Sequence, residues 1–68
     1  MAYRLIKERA ENKGYITDDE AVALVRGAGI DIPNNEFVYN MLRNMEKNRE
    51  ITRQPIGKSG TLNRHIDT

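Results

Sequence analysis

Polar side chains recur at helical intervals between residues 35 and 48. Asn35, Glu36, Tyr39, Asn40, Arg43, Asn44 and Lys47 share one face of a helix, while Val38, Met41, Leu42 and Met45 at i, i+3, i+4 and i+7 share the opposite one. Carboxamides, a phenol and cations form a hydrogen-bonding, anion-attracting surface, in place of the Glu/Lys alternation of an idle solvent-facing helix. A plain solvated surface is the competing interpretation. Three more cations, Arg53, Lys58 and Arg64, lie on or near the turn Pro55-Ile56-Gly57-Lys58-Ser59-Gly60. Such charges draw polyanions, and they also protect strand edges.

Reactive chemistry is poorly served by the same residues. Gly57-Lys58-Ser59 has the end of a phosphate-loop pattern, but the Gly required five residues earlier is Thr52, and a strand comes next where a helix should. His65 is the only His and Cys is absent, so a metal site would depend on carboxylates, and Asp18, Asp19 and Glu20 are better explained as helix-start residues. A Ser or Thr nucleophile would need His65 as base and an orienting acid, which nothing arranges. The expectation is a binding protein, not an enzyme, with no cofactor and no metal.

Local signals define the elements that must position these side chains. Ala2 to Asn12 carries good helix formers, with Tyr3, Leu5, Ile6, Arg9 and Ala10 toward one side and Lys7, Glu8 and Glu11 toward the other. Lys13-Gly14 closes that helix with a cation in its last turn and a Gly able to adopt the left-handed conformation. Tyr15-Ile16 is too short for an independent strand but long enough to pair with a hairpin. Thr17-Asp18-Asp19-Glu20 reads as a capping box, with Ile16 stapled on Ala21, so a second helix starts at Asp18. Its stripe of Ala21, Val22, Leu24, Val25 and Ala28 ends at Gly27 and Gly29. Pro33 breaks helical geometry at Ile32, and Asp31 or Asn34 can cap a third helix, which runs from about Asn35 to Asn48 with Phe37 beside its apolar face. Glu50 to Gln54 and Thr61 to Ile66 then read as two strands of a hairpin. Tyr3 and Tyr15 are expected as core or rim packing with their hydroxyls in water. Met41 and Met45 are expected as core filling.

Sixty-eight residues make one domain, residues 1–68, with a thin core and no enclosed chamber. Charges interrupt every apolar stretch, and no window approaches the roughly 18 apolar residues of a membrane span, so a soluble, cytoplasmic protein with no membrane partner is expected. Net charge is only +1, yet its distribution is uneven. Met1 to Glu36 carries five basic and seven acidic residues, whereas Phe37 to Thr68 carries six basic and three acidic. Such asymmetry is what a nucleic-acid-binding face produces.

Helix, short strand, helix, turn, helix and β-hairpin is the element order of the winged helix-turn-helix family. The chain resembles that family from about Tyr3 to Ile66, through Gly14-Tyr15-Ile16-Thr17 leading into the second helix, Gly29-Ile30 at the turn, Val38, Leu42 and Met45 on the third helix, and Glu50-Ile51 opening the wing. The segment Gly27 to Pro33 is longer than the family's usual turn. The resemblance implies an α+β fold, mostly α: three helices, a C-terminal hairpin wing and a short strand at Tyr15-Ile16. It also implies a small DNA-binding regulator of transcription, of bacterial or mobile-element type. Its third helix would enter the major groove and its wing would follow the backbone of double-stranded DNA.

On that basis Asn35, Tyr39, Asn40 and Arg43 take groove-facing positions, with Lys47 on the same helix. Asn can pair with adenine, Arg with guanine, and Tyr with a phosphate oxygen. Arg53, Lys58 and Arg64 become backbone contacts, while Glu36 repels phosphate unless it accepts from cytosine. One module covers about one half-site, so a homodimer or cooperative binding is expected, through Tyr3, Ile6 and Ala10 or through the hairpin edge. The alternative is a protein-interaction adaptor that docks on a polymerase or replication component through the wing edge or the Phe37/Met41 side. RNA binding is a third class, disfavoured by few aromatic platforms.

Overall fold

Apolar residues every fourth position give the first helix, α1 (Ala2–Lys13), one inward edge of Ala2, Ile6 and Ala10. In the computed structural model, which describes residues 1–66, that edge covers a core shared with the other two helices, two of the strands and Ile32; Asp67, which enters the charge count, and Thr68 lie outside the described residues. Gly14 closes α1 at φ 87°, its amide donating to the Ala10 carbonyl at 2.7 Å. Only Gly takes this backbone angle without strain. The Gly14 carbonyl accepts from the His65 amide at 2.9 Å, so the helix cap also starts a strand pairing.

Strand β1 (Tyr15–Thr17) pairs antiparallel with β3 (Thr61–His65), setting Tyr15 opposite Arg64, Ile16 opposite Asn63 and Thr17 opposite Leu62. Strand β2 (Ile51–Pro55) flanks β3 on its other side, with Arg53 opposite Asn63. The sheet order is therefore β1-β3-β2. A single 3-10 turn (Gly57–Ser59) joins the hairpin strands.

Helix α2 (Asp18–Gly27) begins where the Thr17 hydroxyl accepts from the Glu20 amide at 3.1 Å. The reciprocal half of the expected capping box is not made. Instead Lys13 reaches the Glu20 carboxylate at 2.9 Å and Arg9 lies 3.5 Å from it, because charge-assisted contacts outcompete a neutral amide. Helix α3 (Asn35–Lys47) is capped by Asn34, whose side-chain oxygen accepts from the Phe37 amide at 3.1 Å. It buries Val38, Leu42 and Met45, with Met41 half-buried beside them. Phe37 does not join that face and remains 44% exposed, since it lies about 100° around the helix from Val38.

The result is a small α+β domain, mostly helical, with three helices and one three-stranded antiparallel sheet. Among the described residues no helix is long and apolar enough to cross a membrane.

Candidate functional site

Periodicity places Asn35, Glu36, Asn40, Arg43, Asn44 and Lys47 on exposed positions of α3, with Tyr39 half-buried. Several of these side chains hold one another. Arg43 donates through Nη2 to both Glu36 and Asn40, which lie two turns and one turn earlier on the same helix. Both contacts use one nitrogen, so Nη1 and Nε keep their donors available to a ligand. Glu36, expected as a repulsive charge, serves here as the acceptor that orients Arg43. Asn35 is tied back to α2, its side-chain oxygen accepting from Arg26 Nη2 at 2.9 Å. Its amide group remains free to donate. Lys47 is exposed in the last turn and forms no ion pair among the described residues.

The three hairpin cations occupy three different environments. Arg53, grouped with the backbone contacts from sequence, faces inward with its side chain only 12% exposed. Its guanidinium meets both Asp18 oxygens at 3.1 Å and the Asn63 side-chain oxygen at 2.7 Å. Asn63, fully buried, donates in turn to the Ile16 carbonyl at 2.9 Å and to Asp18 at 2.8 Å. This closed set leaves no buried side-chain nitrogen or oxygen unpaired among the described residues. It ties the start of α2 to both hairpin strands, and it removes Arg53 from the surface available to a partner.

Arg64 stands on the opposite face of the sheet, across from Tyr15 and Thr52, and is exposed. Lys58 is exposed in the turn between the strands. Asn63 was missed from sequence because a lone Asn in a strand carries no signal by itself. Strand parity could have revealed the cluster, since Arg53 shares its face with the buried Ile51 two residues earlier.

Of the surface expected to join two copies, Ile6 and Ala10 are fully buried in the core and cannot contribute. The Tyr3 hydroxyl lies at the exposed surface, as expected, but not unpartnered. It donates to the Glu50 carboxylate, with Lys7 beside both at 3.4 Å from Glu50 and 5.7 Å from the Tyr3 ring centre. That bond, then burial, pushes the Tyr3 phenol up, while bonds to Tyr3 and then Glu50 push the Lys7 ammonium up. Tyr15 lies at the rim, 42% exposed, with the Lys13 ammonium 5.0 Å from its ring centre.

Comparison with protein-family models, with curated proteins and with solved structures finds no match to this chain.

Proposed function

We propose that the protein is a small double-stranded DNA-binding module of winged helix-turn-helix type, a cytoplasmic regulator that reads a short site with α3 in the major groove. The observation that carries this is the exposed Asn40–Arg43 pair. A carboxamide and a guanidinium are held one turn apart on the same helix face, with Arg43 pre-oriented by Glu36 and its Nη1 and Nε donors unspent. The N–H donors left at Nη1 and Nε can each reach an acceptor on a base edge. Asn35 and Tyr39 extend the contact along the helix, and Lys47 and Lys58 supply phosphate contacts. The order helix, strand, helix, helix, hairpin and the sheet order β1-β3-β2 are consistent with the family's architecture.

Fluorescence anisotropy with random duplex DNA at two salt concentrations is the first test, and absence of binding at low salt would overturn the proposal. Once a preferred site has been selected, Arg43→Ala should relax preference at one base pair and cost about 1–3 kcal/mol. Lys58→Ala should weaken all sequences alike and reduce the salt slope by about 1.

A second reading, an adaptor for a protein partner, is favoured by the exposed Phe37 next to the half-buried Met41 and by Ile56, 37% exposed at the hairpin tip. It predicts that neither substitution alters any DNA affinity.

A further inference from the structure

The outer face of α1 is left unpartnered by the fold. Ala2, Ile6 and Ala10 turn inward, which places Arg4 and Glu8 on the opposite side, one turn apart and both exposed. Among the described residues neither belongs to an ion pair. Beside them runs a groove of about 390 Å³, lined by Met1, Arg4, Leu5, Glu8, Ala28 and Ile30, where α1 meets the turn between α2 and α3. Leu5 and Ile30 are half-buried along it.

We propose that a second copy of this chain docks on this face, with the two α1 helices antiparallel about a two-fold axis. Such an axis turns one basic and one acidic residue on a single helix into a self-complementary pattern. Arg4 of each copy meets Glu8 of the other, giving two symmetric ion pairs along the seam. The same operation keeps the flank of each helix on one side of the pair. Leu5 of one copy therefore approaches Leu5 of the other, with Ala28 and Ile30 from both copies closing an apolar strip beside the ion pairs. Within one copy Arg4 precedes Glu8, the less favourable orientation for a pair along a single helix, so the intermolecular arrangement competes well.

A helix of 12 residues is only about 18 Å long, and the contact falls short of the roughly 800 Å² per partner found in stable complexes. Association is therefore in the micromolar range or weaker, and it weakens with salt. The inference stands apart from the DNA reading, though it would supply what that reading lacks. One copy spans 30 Å at its longest, less than the roughly 34 Å between successive half-sites on one face of DNA.

Sedimentation equilibrium across a concentration series tests it without DNA. The expected result is a monomer–dimer equilibrium between 7.8 kDa and twice that mass. Arg4→Glu alone and Glu8→Arg alone each place like charges across the axis and should weaken the dimer about tenfold or more. The double variant Arg4→Glu/Glu8→Arg restores opposite charges across the axis and should recover at least about threefold in affinity over either single variant, short of the parent because the exchanged charges then stand in the favourable order for a pair along one helix. Both positions are exposed, so circular dichroism should show all three variants folded. A monomer at every concentration up to about 1 mM, or a dimer that the single substitutions leave unchanged or the double variant fails to rescue, overturns the proposal.

Discussion

Arg53 illustrates how a side chain's role is decided by its neighbours. An exposed cation would offer a phosphate contact, but this one meets a buried Asn and a carboxylate at the first position of α2, where amides and dipole already favour negative charge. Removing it strands two acceptors. Arg53→Met should destabilise the protein by about 2–3 kcal/mol, below the 3–5 of a fully buried pair because Asp18 keeps 15% exposure. Arg64→Met, on the outer sheet face, should change stability by no more than about 0.5 kcal/mol. Urea midpoints at constant slope separate the two, and equal effects would show that the Asp18–Asn63 set contributes nothing special. Tyr3 and Lys7 give the stability an alkaline pH dependence. Both titrate higher in the folded chain than unfolded, so the stability they add is complete below their ordinary values, about 10 for the phenol, and is lost as pH rises through the raised ones. Thermal midpoints should hold between pH 7 and 9, then fall above about pH 10, and Tyr3→Phe should flatten that fall. An identical alkaline profile in Tyr3→Phe would assign the loss to other groups.

At the scale of elements, the caps set both where helices stop and how the sheet begins. Gly14 ends α1 at a positive φ and presents its carbonyl to His65, so strain there disturbs a helix end and a strand register together. A Cβ built at Gly14 meets nothing within 4 Å, leaving backbone strain as the whole cost. Gly14→Ala should therefore lose about 1–2 kcal/mol. Gly27→Ala, with equally open surroundings but no positive φ, should gain up to about 1 kcal/mol from reduced unfolded-state entropy. Thermal unfolding of the pair would contradict this if the two shifted the midpoint in the same direction. These local devices are readable in the chain itself. Gly14, the Thr17 cap, the Asn34 cap and the apolar stripe of α3 each depend on residues within a turn or two, and the element boundaries they imply fall within a residue or two of the observed ones. Contacts that depend on distant segments are not readable in this way. Glu20 turns to Lys13 and Arg9 because α1 happens to lie beside it, and Asn63 is buried because β1 arrives opposite it from 47 residues away. On the candidate face, helical spacing identifies Asn40 and Arg43, but not that Glu36 holds the guanidinium.

The charge asymmetry between the two halves of the chain acquires a different meaning once the whole molecule is assembled. Part of it is spent internally. Asp18 and Glu36 from the acidic half hold Arg53 and Arg43 from the basic half. Glu11 lies 3.9 Å from His65. Of the six basic residues after Glu36, Lys47, Arg49, Lys58 and Arg64 remain without an ion pair among the described residues. With Arg4 and Arg26 from the first half, which also lack an ion pair among the described residues, six unpaired cations bound the electrostatics of the proposed DNA complex. Each phosphate neutralised on duplex DNA contributes about −0.9 to the slope of log K against log salt, so six cations allow a slope no steeper than about −5.4 per copy. The modest net charge is then compatible with DNA binding, with affinity drawn more from directed hydrogen bonds on α3 than from counterion release. Nonspecific binding should be weak at physiological salt and the margin between preferred and random sites correspondingly wide. Titrations on the selected duplex between low and moderate salt read the slope directly. A value well beyond about −5.4 per copy would mean that Arg43 or Arg53 leaves its carboxylate to meet phosphate, and Glu36→Gln, which frees Arg43 alone, would then leave the slope of the preferred site unchanged only if Arg53 were the residue released.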